Sequence, residues 1–295
     1  MSETRAITEE EFALQQRELG RSVHQHDGVW WDMVKPFYCK PVFDFRQIEP
    51  GRARPAVIRS WISYSHAVPE PEMASRSIDM MVLSGERLRN FGIKSLKDAK
   101  RARVRKGLSL VEIRRLNDLE SLMDQVRDVN ISQADRQWPS GGTGLPSSYY
   151  SRHYDVWRRQ QLVEFSSPGR EWWGGFREGQ LICYMTLVHI EQVAIIRNVK
   201  SRTDALSLCP NDAMYFTVLG TIRDRQDCEM LVNGSSFTPS LDAFKERFGF
   251  QKTPLHIYTQ HYRVYTRARR LFERAAGIRR AFRREGVPAS EVTGQ

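Results

Sequence analysis

The chain has 295 residues, is 40% hydrophobic, and carries 45 lysines and arginines against 35 aspartates and glutamates. This hydrophobic content is enough to build a core, which excludes an intrinsically disordered chain. The longest apolar run, residues 181–190, has ten members and is too short to cross a bilayer, so it predicts a buried strand.

Positive charge is concentrated near the C-terminus. Residues 261–284 hold nine arginines and one glutamate, a balance of +8, whereas the rest of the chain has 36 basic and 34 acidic residues. The basic character therefore belongs to one element. The four cysteines show no paired spacing, and the acidic N-terminus does not resemble a signal peptide. We therefore expect a reduced, cytoplasmic protein.

The first third of the chain predicts one helix followed by strands. Thr8 and Glu11 form a capping-box pattern, which predicts a helix through about residue 21. Aromatic residues interrupted by prolines then predict short strands and loops over 28–55. Two further strand candidates follow, at 56–65 and 77–85. We therefore expect a strand-rich N-terminal domain over residues 1–92, with a basic C-terminal helix and tail over 263–295 as a separate element.

The middle of the chain alternates helices and strands. A basic helix is predicted over 95–107, ended by Gly107, and a strand over 108–116. The later helices are predicted at 118–130, 149–161 and 210–226, and the later strands at 162–167, 172–198 (a hairpin or meander), 228–236 and 255–262. This order predicts an α/β or α+β layered domain over residues 93–262, with a mixed sheet flanked by helices.

A short helix near the end of this domain has clear signals at both ends. Thr238 is a natural N-cap, Pro239 fits the first helical position, and Gly249 fits the position after the C-cap. The spacing predicts a helix over Pro239–Phe248 with a buried stripe of Leu241, Phe244 and Phe248. Lys245 lies at the edge of that stripe. It either faces a cleft or is a solvated lysine paired with Asp242.

Three motifs, in order, resemble FemAB-like acyltransferases of the GNAT superfamily. They are "LKDAKRARVRKG" at 96–107, "YYSRHYDVW" followed by "WWGGFREGQLICYMTLV", and "FKERFG" at 244–249. The resemblance covers about residues 92–262, and it implies a partial GNAT-like domain before them. The GNAT pyrophosphate motif occurs only as near matches, at 89–94 and 274–279. The long helical hairpin of the cell-wall enzymes has no room in this chain.

The resemblance implies an N-acyltransferase. It would move an acyl or aminoacyl group from acyl-CoA or aminoacyl-tRNA to an amine, such as an amino sugar of a surface-glycan precursor. In such enzymes the lysine of the "FK" pair holds an anionic part of the substrate or intermediate, which here implies Lys245 with Phe244 beside it. The substrate would approach the small residues at the preceding strand end, Asn233, Gly234, Ser235 and Ser236.

Other candidates have structural alternatives. His189 and Glu191 alternate on one strand and are candidate proton acceptors, or else an exposed pair near a turn. Tyr149 and Tyr150 are candidate substrate contacts or helix-packing residues. Glycines 141, 142 and 144 could line a cleft, and two tryptophans at 172 and 173 are expected in the core. Two histidines and an aspartate at 24–27 have no partner cluster, so we expect no metal site.

The arginine-rich C-terminal segment has three interpretations. Its apolar residues follow a helical period, so residues 263–284 could lie on an anionic membrane surface, bind RNA, or pack on their own domain. The first interpretation would make the protein peripheral at the inner face of the cell membrane. The rival to catalysis is a non-catalytic, degenerate GNAT-fold protein that binds its partner through this segment.

Overall fold

The computed structural model describes residues 5–137, 144–236 and 238–262. The described helices are α1 Glu9–Glu18, α2 Val57–Ser60, α3 Gly85–Arg89, α4 Asp98–Leu110, α5 Met123–Gln137, α6 Ser147–Arg152, α7 Tyr154–Ser166, α8 Pro210–Arg223 and α9 Pro239–Glu246. The strands are β1 Val23–His26, β2 Val29–Lys35, β3 Tyr38–Pro41, β4 Ser63–Ala67, β5 Arg76–Ser84, β6 Glu112–Arg115, β7 Arg170–Arg177, β8 Gln180–Ile190, β9 Val193–Ser201, β10 Met230–Ser235 and β11 Gln251–His261. The fold is therefore of mixed α and β class, as the sequence predicts.

The chain forms two compact units, each built from non-contiguous segments. Of the described residues, the first unit contains those from Arg5 to Gly20 together with Ile78–Leu255, and the second contains Arg21–Ser77 together with those from His256 to Tyr262. The sequence instead predicts contiguous domains with boundaries near 92 and 262. Those boundaries stay a prediction.

The first unit contains a mixed sheet with the strand order β5-β10-β9-β8-β7-β6. Its parallel pair is β9 and β10, which α8 connects. Their pairing covers only Val193–Ile195 and Met230–Val232. Beyond this point β9 stays paired with β8 up to Ser201, and β10 stays paired with β5. The two parallel strands therefore separate after three residues, and the end of β10 is free of β9.

One face of this sheet is covered by α4 and α8. Their shared core includes Met185, Leu187, Met214 and Val218. A Cβ on Gly107 would lie 2.6 Å from the Cys209 carbonyl oxygen, so the glycine permits close approach of α4 and α8. The prediction that Gly107 ends its helix is wrong, because α4 continues through it to Leu110.

The other face carries α5, α6 and α7. Trp172 and Tyr184 belong to this core, whereas Trp173 belongs to the first one, as expected for neighbours on a strand that point to opposite faces. Both tryptophans are buried, as predicted. The predicted strand at 162–167 is wrong, because α7 runs through Ser166. Leu162 and Phe165, three residues apart, pack against this core as helical neighbours do.

The second unit has the strand order β1-β2-β3-β4-β11 and a core that includes Trp31 and Tyr64. The predicted strand at 56–65 is wrong in its first half, which forms the one-turn helix α2 before β4 begins at Ser63. At the start of the first unit, Thr8 and Glu11 form the predicted capping box. Within the described ranges, no helix is long and apolar enough to span a bilayer.

Candidate active site

Helix α9 begins as the sequence predicts. The Thr238 side chain accepts a hydrogen bond from the Leu241 N–H at 3.4 Å, and Gly249 has a φ of 93°. Phe248 is fully buried, but Leu241 is 41% exposed, so the predicted stripe is wrong at Leu241. Asp242 is buried instead. Its carboxylate accepts from the Ser236 hydroxyl and pairs with Lys252 at 2.9 Å, which compensates for its burial.

Lys245 is 4% exposed and points at the end of β10. Its Nζ donates to the carbonyl oxygens of Asn233 at 2.6 Å and Ser235 at 3.4 Å. Asp242 instead forms its ion pair with Lys252, so the prediction of a solvated Lys245–Asp242 pair is wrong. Burial lowers the pKa of Lys245, and the charge of Asp242 opposes this only in part. The result is a buried cation that donates hydrogen bonds to carbonyl groups, with the charge of Asp242 nearby.

The end of β10 is shaped to receive this cation. The strand register shifts between Val232 and Ser235, and Gly234 adopts a φ of 64° within that bulge. A side chain would be strained at this φ, and a Cβ on Gly234 would meet no atom within 4 Å, so the space beside it is open. Ser236 closes the bulge by donating its N–H to the Asp79 carbonyl at 2.7 Å.

Aromatic rings pack beside Asn233, whose carbonyl group accepts from Lys245. The Phe244 ring lies edge-on to Tyr215 at 5.1 Å, and the Tyr215 hydroxyl accepts from the Asn233 side-chain amide at 2.8 Å. Burial raises the pKa of Tyr215 to about 12, although the Asn233 hydrogen bond opposes the shift. Tyr215 therefore stays neutral at ordinary pH. The structure thus brings Asn233, Ser235, Ser236, Phe244 and Lys245 together, and their role as a substrate site stays a prediction.

A second buried lysine borders the same rings. Lys100 Nζ lies 4.2 Å from the Phe244 ring centroid and pairs with Asp212 at 2.6 Å, with both side chains 2% exposed. Burial lowers the pKa of Lys100, and the ion pair with Asp212 opposes the shift in part. The sequence analysis missed this pair. One signal was available: Lys100 shares a helical face with Val104 and Gly107, the buried residues of α4.

His189 lies in a different cluster. Its Nε2 is 3.3 Å from a Glu171 oxygen, and Glu171 also accepts from Arg225 at 3.0 Å and from the Trp173 indole at 3.0 Å. Arg225 follows α8 and is ten residues from Tyr215, about 15 Å along a helix axis. Glu171 and Arg225 border a cavity of about 800 Å³. The structure therefore does not bring His189 to Lys245.

Glu191 does not share a face with His189. It follows the last residue of β8 and occupies a turn with a φ of 51°. Its carboxylate accepts from the Glu9 N–H at 2.9 Å, at the start of α1. The predicted turn at this position is confirmed, whereas the predicted alternation of the two side chains on one strand is wrong because the strand ends at Ile190.

Tyr149 and Tyr150 both lie in α6. Tyr150 is buried and packs edge-on against Trp157 at 5.4 Å, and Tyr149 contacts His153 at 5.0 Å. These are helix-packing contacts, and a substrate contact stays a prediction. Glycines 141 and 142 of the predicted cleft loop lie outside the described residues. Among those described, no group of three or more His, Cys, Asp or Glu side chains is arranged to hold a metal ion.

Two cations lie near the end of β9, where β9 and β10 no longer pair. Lys200 is partly buried, and burial and the charge of Arg136 both lower its pKa. Arg136 Nη1 donates to the Thr203 hydroxyl at 3.0 Å. Within the described ranges, no acidic side chain is among the groups that shift the pKa of Lys200 or of Arg136. This arrangement can bind an anion, and the sequence analysis did not find it because the two residues are 64 positions apart.

No protein-family model and no curated protein matches the chain, whereas solved structures do. FemX matches over 92% of this chain and 100% of its own, with a TM-score of 0.58 and 11% identity. The C-terminal DUF2156 domain of an Agrobacterium fabrum protein assigned as a lysylphosphatidylglycerol synthetase matches over 88% and 95%, with a TM-score of 0.54 and 12% identity. L-PGS from Bacillus licheniformis matches over 89% and 94%, with a TM-score of 0.50 and 10% identity. At these identities the likeness concerns the fold alone: the chain shares the fold of FemX and of the DUF2156 domain, which agrees with the FemAB-like fold that its motifs imply.

Proposed function

We propose that the chain is an N-acyltransferase that moves an acyl or aminoacyl group from an activated donor to an amine. The observation that carries the proposal is the buried Lys245 ammonium, fixed between two carbonyl groups at the bulged end of β10. An ammonium has three N–H donors, and these two contacts leave one for a substrate oxygen. The open space beside Gly234 is where that oxygen would lie.

Amine attack on a thioester or ester carbonyl forms a C–N bond and places negative charge on the carbonyl oxygen. When this intermediate collapses, the C–S or C–O bond of the donor breaks and the donor leaves as a thiol or alcohol, which carries the proton lost by the amine. A fixed donor in a water-poor site stabilises that charge without having to reorganise, and one such donor typically contributes about 3 kcal/mol to lowering the barrier. In our proposal Lys245 is this donor. Phe244 and Tyr215 hold the backbone and side chains around it in one arrangement. Asn233, Gly234, Ser235 and Ser236 form the edge along which the substrate lies.

The donor would be an acyl-CoA or an aminoacyl-tRNA, both of which are rich in phosphate. Lys200 and Arg136 supply positive charge near the end of β9 and would contact such a phosphate. The name lysylphosphatidylglycerol synthetase, carried by one structural neighbour, describes an amino acid joined to a lipid. That chemistry supports an aminoacyl donor and a lipid-linked acceptor, such as an amino sugar of a surface-glycan precursor. Residues 263–284, outside the described ranges, would then contact the membrane or the RNA.

Ligand-dependent stability tests the donor. A ligand that binds only the folded state raises the unfolding temperature. We expect either an acyl-CoA or a charged tRNA to raise it, and native mass spectrometry to show the matching complex. Treatment with ribonuclease separates the two donors, because it abolishes only the tRNA-dependent signal. If no acyl-CoA and no charged tRNA binds, the enzyme assignment is wrong.

One observation favours a non-catalytic rival. Lys245 is 4% exposed and already hydrogen-bonded within the chain, as a purely structural lysine would be. In that case the fold serves as a binding module and the arginine-rich segment holds the partner. Turnover with any donor and amine excludes this rival, whereas partner binding without turnover supports it.

A further inference from the structure

The second unit exposes four large apolar side chains on two adjoining segments. Phe37, in the β2–β3 turn, is 37% exposed, and Trp61 is 40% exposed. Val57 and Ile58, in the one-turn helix α2, are 52% and 81% exposed. We refer to Phe37, Val57, Ile58 and Trp61 as the apolar tip. Leaving such side chains in water costs free energy that contact with an apolar partner would recover.

The apolar tip is one surface, fixed to the sheet beneath it. The rings of Phe37 and Trp61 lie 4.7 Å apart. The Phe37 carbonyl accepts from the N–H groups of Ile62 and Ser63, each at 3.3 Å, which joins the turn to the start of β4. Because these hydrogen bonds fix its backbone, the apolar tip can bind a partner without the loss of conformational entropy that ordering a loop would require.

The exposed charge on the segments that carry the apolar tip is positive. Residues 33–43 and 56–63 contain three lysines and arginines and no aspartate or glutamate. Lys35 and Arg59 are exposed, whereas Lys40 pairs with Asp44 at 2.6 Å. The charges of Lys35 and Arg59 disfavour contact with a second copy of the same surface, because like charges would meet. They favour a partner that is both anionic and apolar.

We propose that the apolar tip docks this protein onto an anionic lipid bilayer. A hairpin turn and a one-turn helix form a small protruding surface, which suits shallow insertion between headgroups. Tryptophan and phenylalanine are common at this depth, and flanking lysines and arginines pair with anionic headgroups. The inference stands on the second unit alone and does not depend on the proposed acyl transfer. It is also separate from any role of residues 263–284.

Vesicle co-sedimentation of the full chain tests the proposal. We expect binding to vesicles of equimolar phosphatidylglycerol and phosphatidylcholine, and much weaker binding to phosphatidylcholine alone. The double variant Ile58→Asp, Trp61→Asp should lose about tenfold or more in partitioning, because it replaces inserted apolar surface with charge. Both positions are exposed, so circular dichroism and the unfolding temperature should stay unchanged.

Two control variants isolate the surface. Val156→Asp, Val163→Asp makes the same chemical change at exposed positions of α7, 48% and 44% accessible, and should bind as the wild type does. In the full chain, Arg279→Gln, Arg280→Gln, Arg283→Gln measures what the C-terminal segment contributes. When Ile58→Asp, Trp61→Asp is added to that arginine variant, vesicle binding should fall by the same factor as it does in the wild-type chain.

Fluorescence quenching gives a direct readout of insertion. Of the tryptophans that the structure describes, Trp61 alone is exposed. Lipids brominated on the acyl chain should quench the wild-type fluorescence, and Trp61→Phe should remove that quenching while keeping the binding. The proposal is overturned if the Ile58, Trp61 variant binds anionic vesicles like the wild type or if the wild type does not bind them. It is also overturned if the variant changes only the oligomeric state measured by light scattering.

Discussion

At the scale of single residues, burial separates the candidate lysines. Lys245 and Lys100 are almost fully enclosed, whereas Lys106 on α4 is exposed. Burying an ammonium carries a desolvation penalty, which hydrogen bonds and ion pairs offset only in part. Lys100 forms an ion pair with the carboxylate of Asp212, whereas Lys245 donates to carbonyl groups and gains only the more distant charge of Asp242. A cost of this kind is typical of a side chain that is kept for its function rather than for stability.

Substitution of Lys245 tests this reasoning. We expect Lys245→Met to lower kcat about 100- to 1,000-fold, the usual loss when one donor to a developing oxyanion is removed. Its free energy of unfolding should stay equal or rise, since methionine fills similar space without a buried charge. Steady-state kinetics and denaturant unfolding measure the two quantities. Lys106→Met is the matched control and should change neither, whereas full activity of Lys245→Met would contradict the proposed role.

Glu171 predicts a pH dependence of stability. Burial alone would raise its pKa, but contacts with His189 and Trp173 and the charge of Arg115 outweigh burial and lower it from 4.5 to about 2. A depressed carboxylate pKa adds stability above the unfolded value, and that stability is lost as pH falls from 4.5 towards 2. The difference corresponds to about 3 kcal/mol.

The variant Glu171→Gln should therefore flatten the acid limb of the stability curve. We expect its deficit in unfolding free energy to be largest near neutral pH and to shrink as the pH approaches 2. Urea unfolding at a series of pH values measures both proteins. Glu178→Gln, on an exposed turn, is the control. A deficit that stays constant across this range would mean that the Glu171 charge is not what stabilises the fold.

At the scale of elements, the sequence predicted the features that depend on neighbouring residues, such as helix caps. The cap of Thr238 and the positive φ of Gly249 depend only on neighbouring residues, and both were predicted correctly. The helix itself ends at Glu246, two residues before the predicted Phe248. Contacts across the fold could not be predicted in this way. Lys100 and Asp212 are 112 positions apart, and nothing in either local pattern indicates the other. Residues 162–167 were predicted as a strand from their local pattern alone. In the structure they are helical and pack in one core with Trp172, a contact that the local pattern does not show.

Gly107 shows how a tertiary contact overrides a local rule. A glycine at this position predicts a helix end, but in the structure the absence of a Cβ allows α4 to pack close to α8. Gly107→Ala would place a Cβ 2.6 Å from the Cys209 carbonyl oxygen and 2.9 Å from the Ala213 Cβ. We expect a loss of about 1–3 kcal/mol, as is usual for overpacking, despite the better helix propensity of alanine.

Gly220 provides the matched comparison. It lies within α8, and a Cβ there would meet no atom within 4 Å. Gly220→Ala should therefore stabilise the protein by up to about 1 kcal/mol, which is the difference in helix propensity. Thermal and urea unfolding of the two variants measure the contrast. If both glycine variants change stability in the same direction, close packing is not the reason for Gly107.

At the scale of the whole molecule, charge is unevenly distributed. Outside residues 261–284 the chain holds 36 basic and 34 acidic residues, so its overall field is weak there. Any salt-dependent binding of a phosphate-rich donor to that part must come from local cation clusters. Lys200 and Arg136 are such a cluster. Motif order predicted the fold, but it could not predict this pair, because only the sheet and α5 together bring the two side chains close.

This distribution leads to a prediction about donor binding. Lys200→Gln, Arg136→Gln should weaken binding of coenzyme A or of tRNA by roughly a hundredfold or more, because each charged hydrogen bond contributes about 1.5–3 kcal/mol. The dependence of log Kd on log salt concentration should fall by about one per lost cation if each meets a phosphate. Titration calorimetry at several salt concentrations measures both effects. Arg105→Gln, Lys106→Gln, which removes two exposed cations of α4, should leave affinity unchanged. An unchanged salt dependence in the Lys200, Arg136 variant would mean that the donor phosphate lies elsewhere, and the arginine-rich C-terminal segment would then be the next cationic element to test.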